Sequence, residues 1–140
     1  IHATSSGGTQ SGLILGKYIT GFKGKIIGID VSNSDKSILF NEIFSLCENT
    51  IRYLRMSEKI SINPFDILID TGYLGRKYAA ETPQGKEVVE LFSRCEGIFL
   101  DYVYTGKAAA AMIDYCRNKN FSKKENILFI HTGGNIELFA

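Results

Sequence analysis

Two rhythms of apolar and polar positions alternate along the chain. Short apolar runs bounded by turn residues at 1–4, 25–31, 65–70, 97–101 and 126–131 read as strands buried on both faces. Between them the apolar period lengthens to that of a helix. Leu13, Ile14 and Tyr18 mark one helix, and Ile38, Phe44, Ile51 and Leu54 a long second one that Ser34 or Asp35 can cap. In a third, Thr82 caps, Pro83 suits the first turn, and Val88, Val89, Leu91, Phe92 and Cys95 form the apolar face. Residues 108–117 form a fourth, whose alanine run allows close packing, and a short terminal helix follows Gly134. Strict strand–helix alternation without a hairpin signal predicts an α/β fold with a doubly wound, mainly parallel sheet.

In such sheets ligands bind beyond the C-terminal ends of the strands. The strand-to-helix turns SSGGTQ, VYTGK and HTGG all fall on that edge, together with a tyrosine-bearing loop at 71–80. In Ser5-Ser6-Gly7-Gly8-Thr9, glycines let successive N–H groups face one concavity, hydroxyls add donors, and the following helix offers its positive end. That combination suits a phosphate, although a plain tight turn would look the same. It is neither GxGxxG nor GK[ST], so those nucleotide classes are not indicated. Tyr104 could stack on a flat ligand, handle a proton, or simply pack on the sheet end. Lys107 reads as a solvated or structural charge, and His131 as a hydrogen-bonded core histidine.

Composition narrows the partners. The 140 residues carry a net charge of +1 and 44% apolar residues, as expected of one globular domain, and give no electrostatic reason for nucleic acid or an anionic membrane. No apolar run is long enough for a membrane span. The three cysteines, Cys47, Cys95 and Cys116, lack zinc-site spacing and read as reduced, mostly buried thiols of a cytoplasmic protein. No metal is expected. Because the chain opens directly on a strand end, it reads as part of a longer protein.

The phrases ATSSGGTQSGLILG, CEGIFLDYVYTGKAAAAMID and NILFIHTGGNIELFA resemble, in order and spacing, the C-terminal part of the D-cysteine desulfhydrase and 1-aminocyclopropane-1-carboxylate deaminase family. These are pyridoxal-phosphate enzymes of fold type II. The resemblance implies that residues 1–140 form the C-terminal part of the large cofactor-binding domain, with the N-terminal part and small domain absent. It assigns Ser5, Ser6, Gly7, Gly8 and Thr9 to the phosphate of pyridoxal 5′-phosphate. Tyr104 and Tyr78 become the active-site tyrosines, Thr132 faces the pyridine nitrogen, and Thr105 bears on substrate. Deaminases of the family usually carry Glu after the tyrosine and Leu within HxGG, so VYTGK with HTGG points to the desulfhydrase side. The implied reaction is α,β-elimination from D-cysteine, with 1-aminocyclopropane-1-carboxylate or another small amino acid as the alternative substrate. A non-catalytic module for a phosphorylated ligand or a protein partner is the reading from another class. The family's cofactor-attaching lysine lies upstream of these motifs, so the chain by itself is expected to be inactive and to self-associate, and the parent to be a homodimer. Tyr102 for the usual proline, Lys77-Tyr78-Ala79 for Gly-Tyr-Gly, and Asn135-Ile136-Glu137 for Ala-Pro-Ala depart from the pattern.

Overall fold

The computed structural model describes residues 1–32 and 35–134. Three strands, β1 (His2–Thr4), β2 (Ile27–Asp30) and β3 (Leu68–Asp70), pair in parallel in the order β1-β2-β3. Helix α1 (Gly8–Thr20) connects β1 to β2. Helix α2 (Lys36–Tyr53) and a 3-10 turn (Pro64–Asp66) lead from β2 to β3. Helices α3 (Pro83–Glu96) and α4 (Thr105–Arg117) follow. The expected α/β architecture is present, with helices on both faces.

Register explains which helix covers which face. His2, Gly28 and Ile69 share one row, and Ala3, Ile29 and Asp70 the next. Successive strand residues point to opposite faces. The first face is covered by α1 and α2, where Ile14, Leu15, Leu39, Ile43, Cys47, Ile51 and Ile69 form the larger core. On the other, Ala3, Ile29 and Val31 pack against Ala108 and Ala111 of α4. The alanines let α4 lie close to the sheet and α3 lie close to α4, through Val88, Val89, Ala109 and Ala110.

Local signals fixed the helix ends as expected. Asp35 caps α2 by accepting from Ser37 N at 2.7 Å, and Thr82 caps α3 by accepting from Gly85 N at 3.0 Å. Ser34 and the expected terminal helix lie outside the described residues. The buried stripe of α2 is Leu39, Ile43, Cys47 and Ile51, whereas Ile38 and Leu54 are about half exposed. Only Cys47 is buried, so the expectation of mostly buried thiols is corrected by exposed Cys95 and Cys116.

Of the expected strands, one is shortened and two lack a regular ladder. The run at 65–70 gives its first half to the 3-10 turn, because Asn63 caps Phe65 N and Pro64 opens the turn. Residues 97–101 carry no ladder. Gly97 ends α3 with φ 65°, and the Phe99 carbonyl accepts from the His131 imidazole at 2.9 Å instead of from a strand. Residues 128–130 form no full ladder but lie beside Ile1. The Ile1 amine donates to Leu128 O at 2.8 Å and Ile130 N donates to Ile1 O at 2.9 Å, the bond pattern of a parallel pair. The chain therefore winds from β1 through β2 to β3 on one side, then returns to the other side of β1. A topological switch point falls at β1, where open α/β sheets place their ligands.

Two tyrosine–carboxylate bonds tie the far end of the sheet to α4. Tyr73 donates to Asp114 at 2.8 Å, Tyr115 donates to Asp70, and the two rings meet edge to face. Burial, reinforced by the neighbouring carboxylates, pushes the Tyr73 phenol up to about 12 and raises Tyr115 as well. A folded-state pKa above the unfolded value of 10.0 contributes stability below pH 10 that is lost as pH rises through about 12. Thermal unfolding from pH 8 to 12 should show a steep alkaline fall. Tyr73→Phe should start less stable at pH 8 and fall less steeply.

Candidate functional site

The loop after β1 is shaped by what packs beneath it. Gly7 adopts φ 76°, and a Cβ there would stand 2.7 Å from Ile43 Cγ1 of α2, so only glycine lets the loop lie this close. Ser11 buttresses the turn from within α1, donating through Oγ to Gly7 O at 2.7 Å. Gln10 reaches across β2 to donate to Leu68 O at 2.8 Å, passing over Gly28, where a Cβ would be 2.1 Å from its side-chain oxygen. The first turn of α1 is thus pinned to the sheet on its inner side and open on its outer side.

Among the described residues no side chain caps α1. Ser11 N takes the first helical bond, to Gly7 O, leaving the N–H groups of Gly8, Thr9 and Gln10 without an intrahelical acceptor. Gly8 and Thr9 border a cavity of about 240 Å³, whereas Gln10 is buried beneath it. Its wall runs from Ala3 and Thr4 through Ser5, Ser6, Gly7, Gly8 and Thr9, and is completed by Val31, Tyr104, Thr132, Gly133 and Gly134. Among the described residues that wall carries no charged side chain. Exposed first-turn N–H groups, hydroxyls and the helix dipole favour an anion, and no carboxylate opposes one. The buried Thr4 hydroxyl, which has no hydrogen-bond partner among the described residues, adds a further polar atom at the wall.

Opposite the glycine loop, Tyr104 is half-buried at the start of α4. Its phenol is hydrogen-bonded to the phenol of Tyr78, and the rings lie 6.2 Å apart at 65°. Tyr78 itself is 45% exposed and is not part of the cavity wall. It rides on the 71–80 loop, where Ala79 has φ 59°, a left-handed conformation that favours glycine.

Seven of the nine residues singled out from sequence meet at this cavity: Ser5, Ser6, Gly7, Gly8, Thr9, Tyr104 and Thr132. Tyr78 reaches it through Tyr104. Thr105 does not reach it. It is buried, its hydroxyl donates to Asp101 at 2.5 Å, and its oxygen accepts from Asp101 N at 3.0 Å. His131 is exposed rather than in the core, and bonds to Phe99 O and Gly133 N. Lys107, read as a solvated or structural charge, is not solvated: it is fully buried, and its amine has no hydrogen-bond partner among the described residues. The first turn of α4 lies too deep for it to escape, since Gly106 packs on Asp101 O and Val89. Burial pushes the Lys107 amine down, and the Asp101 carboxylate acts in the opposite sense.

Sequence reasoning missed Thr4 and the part played by Asp101. An Asp ending an apolar run just before a turn and a helix is a capping pattern, and that signal was available.

Residues 1–133 match the family model described as pyridoxal-phosphate dependent enzyme. The fold is also similar to a crystal structure of an ACC deaminase homologue, with TM-score 0.80 and 31% sequence identity over 96% of this chain. The match spans 38% of that relative's own length.

Proposed function

The chain belongs to the family of pyridoxal-phosphate-dependent enzymes, and on that footing we propose that the cavity beyond β1 is the cofactor's seat in a D-cysteine desulfhydrase. One observation carries the reading. A single cavity gathers neutral anion donors at the glycine loop and the hydroxyls of Tyr104 and Thr132 on the walls around it.

The cofactor, when bound, supplies an electron sink for an amino-acid substrate. The chain's own groups do the rest. The N–H groups of Gly8 and Thr9, with the hydroxyls of Ser5, Ser6 and Thr9, bind the phosphate. Thr132 offers a hydroxyl to the ring nitrogen. A neutral partner there leaves that nitrogen less protonated than a carboxylate would, which suits loss of a good leaving group such as thiolate. Tyr104, bonded to Tyr78, holds and moves a proton at its phenol oxygen. The balanced reaction converts D-cysteine and water to pyruvate, ammonia and hydrogen sulfide. No lysine is among the described residues of the wall, so the chain alone is proposed to bind the phosphate without turnover.

The test compares substrates in the natural full-length protein. Pyruvate release from D-cysteine should exceed ammonia release from 1-aminocyclopropane-1-carboxylate by about tenfold or more in kcat/KM. Thr132→Leu should narrow that preference. The opposite preference would transfer the reading to the deaminase branch, and turnover of neither would favour the non-catalytic module.

A further inference from the structure

Asp101 is fully buried behind the cavity, where the chain turns into α4. Its Oδ1 accepts from Val103 N at 2.8 Å and from Tyr104 N at 2.5 Å. Its Oδ2 accepts from Thr105 N at 2.9 Å and from the Thr105 hydroxyl. Its own N–H donates to Thr105 Oγ1 at 3.0 Å, and its carbonyl accepts from Gly106 N at 2.8 Å. Every polar atom of Asp101 is therefore engaged on the turn that carries Tyr104.

The same carboxylate also touches a second wall. A Cβ at Gly134 would lie 2.5 Å from Oδ2, and Gly134, with φ 99°, lines the cavity beside Gly133 and Thr132. One buried group thus abuts the two segments that face the glycine loop. Carboxylates accept several bonds at once, and three backbone N–H groups with a hydroxyl saturate both oxygens here.

We propose that Asp101 is a positioning residue of this site: it fixes the backbone of Tyr104 so that the phenol meets Tyr78 at the cavity, and it reserves position 134 for glycine. The inference rests on the proposed function only in treating Tyr104 as catalytic. Asp101→Asn preserves shape but sets an NH₂ where an oxygen stands, so at least one donor pair on the turn loses its acceptor whichever way the amide faces.

The experiment uses full-length protein labelled with 3-fluorotyrosine, without added cofactor, with Tyr104→Phe assigning the Tyr104 resonance. In Asp101→Asn that resonance should move, while Tyr18, which donates to Asp66 at 2.6 Å on the opposite face, should not. With pyridoxal phosphate added, kcat should fall roughly tenfold to a hundredfold, the scale of cost for misplacing a reacting group by about 1 Å. Cofactor affinity should change far less. The losses from Asp101→Asn and Tyr104→Phe should not multiply, because one acts through the other. An unmoved Tyr104 resonance in folded Asp101→Asn, or losses that multiply, would overturn the proposal. Should Asp101→Asn fail to fold, Thr105→Val removes the hydroxyl alone and must shift the same resonance; no shift there also overturns it. Failure to bind pyridoxal phosphate would sink the proposed function and leave the fluorine result readable.

Discussion

Gly7→Ala is expected to lose both stability and phosphate binding. A non-glycine residue at φ 76° costs about 1–2 kcal/mol, and a Cβ 2.7 Å from Ile43 Cγ1 forces overpacking costing about 1–3 kcal/mol more. For a chain of this size that lowers Tm on the order of 10 °C. Relaxing the clash means lifting the loop off α2, which turns the open N–H groups of α1 away from the anion. Gly8→Ala is the control. A Cβ there meets nothing within 4 Å, so thermal unfolding should change little. Differential scanning calorimetry of the two variants separates the outcomes. Equal stability would mean that the loop is not seated on α2 as described.

Tyr104→Phe should give the largest effect on turnover. Removing a positioned proton-transfer group costs typically about 10²–10⁴-fold in rate. The ring remains to pack at the start of α4, and Asp101 still holds the residue-104 backbone, so Tm and cofactor affinity should stay near those of the parent. Tyr78→Phe should cost less, because Tyr78 lies outside the cavity wall and acts through its bond to Tyr104. Steady-state kinetics on the full-length enzyme provide the check. A kcat for Tyr104→Phe within threefold of the parent would remove Tyr104 from the chemistry.

Much of this was legible because it was local. Thr82-Pro83 and Asp35 cap helices through bonds spanning two or three residues, and the sequence carries both partners. The glycine loop was legible for the same reason. What escaped depends on residues distant in sequence. Helix α2 offers two apolar stripes at helical spacing, and only its contact with α1 and the sheet selects Leu39, Ile43 and Cys47 over Ile38 and Leu54. Residues 97–101 have the composition of a strand, but a strand needs neighbours, and the Phe99 carbonyl is taken by a histidine 32 residues away. Whether Lys107 was solvated or structural stayed open because its burial comes from the stacking of α4 against the sheet and α3. The family resemblance pointed to Thr105 as a substrate residue, yet Asp101 holds its hydroxyl away from the cavity. Ala79 works the other way. It stands where the resemblance leads one to expect glycine, and it keeps the left-handed φ of 59° that glycine would favour.

The neutral glycine loop beyond β1 is proposed to hold the cofactor's phosphate. Titrating pyridoxal phosphate into the full-length protein and following its ³¹P resonance tests this most directly. One shifted, saturable phosphate per chain is expected, with the shift lost in Gly7→Ala. A phosphate resonance unchanged by the protein, or a shift that survives Gly7→Ala, would contradict it.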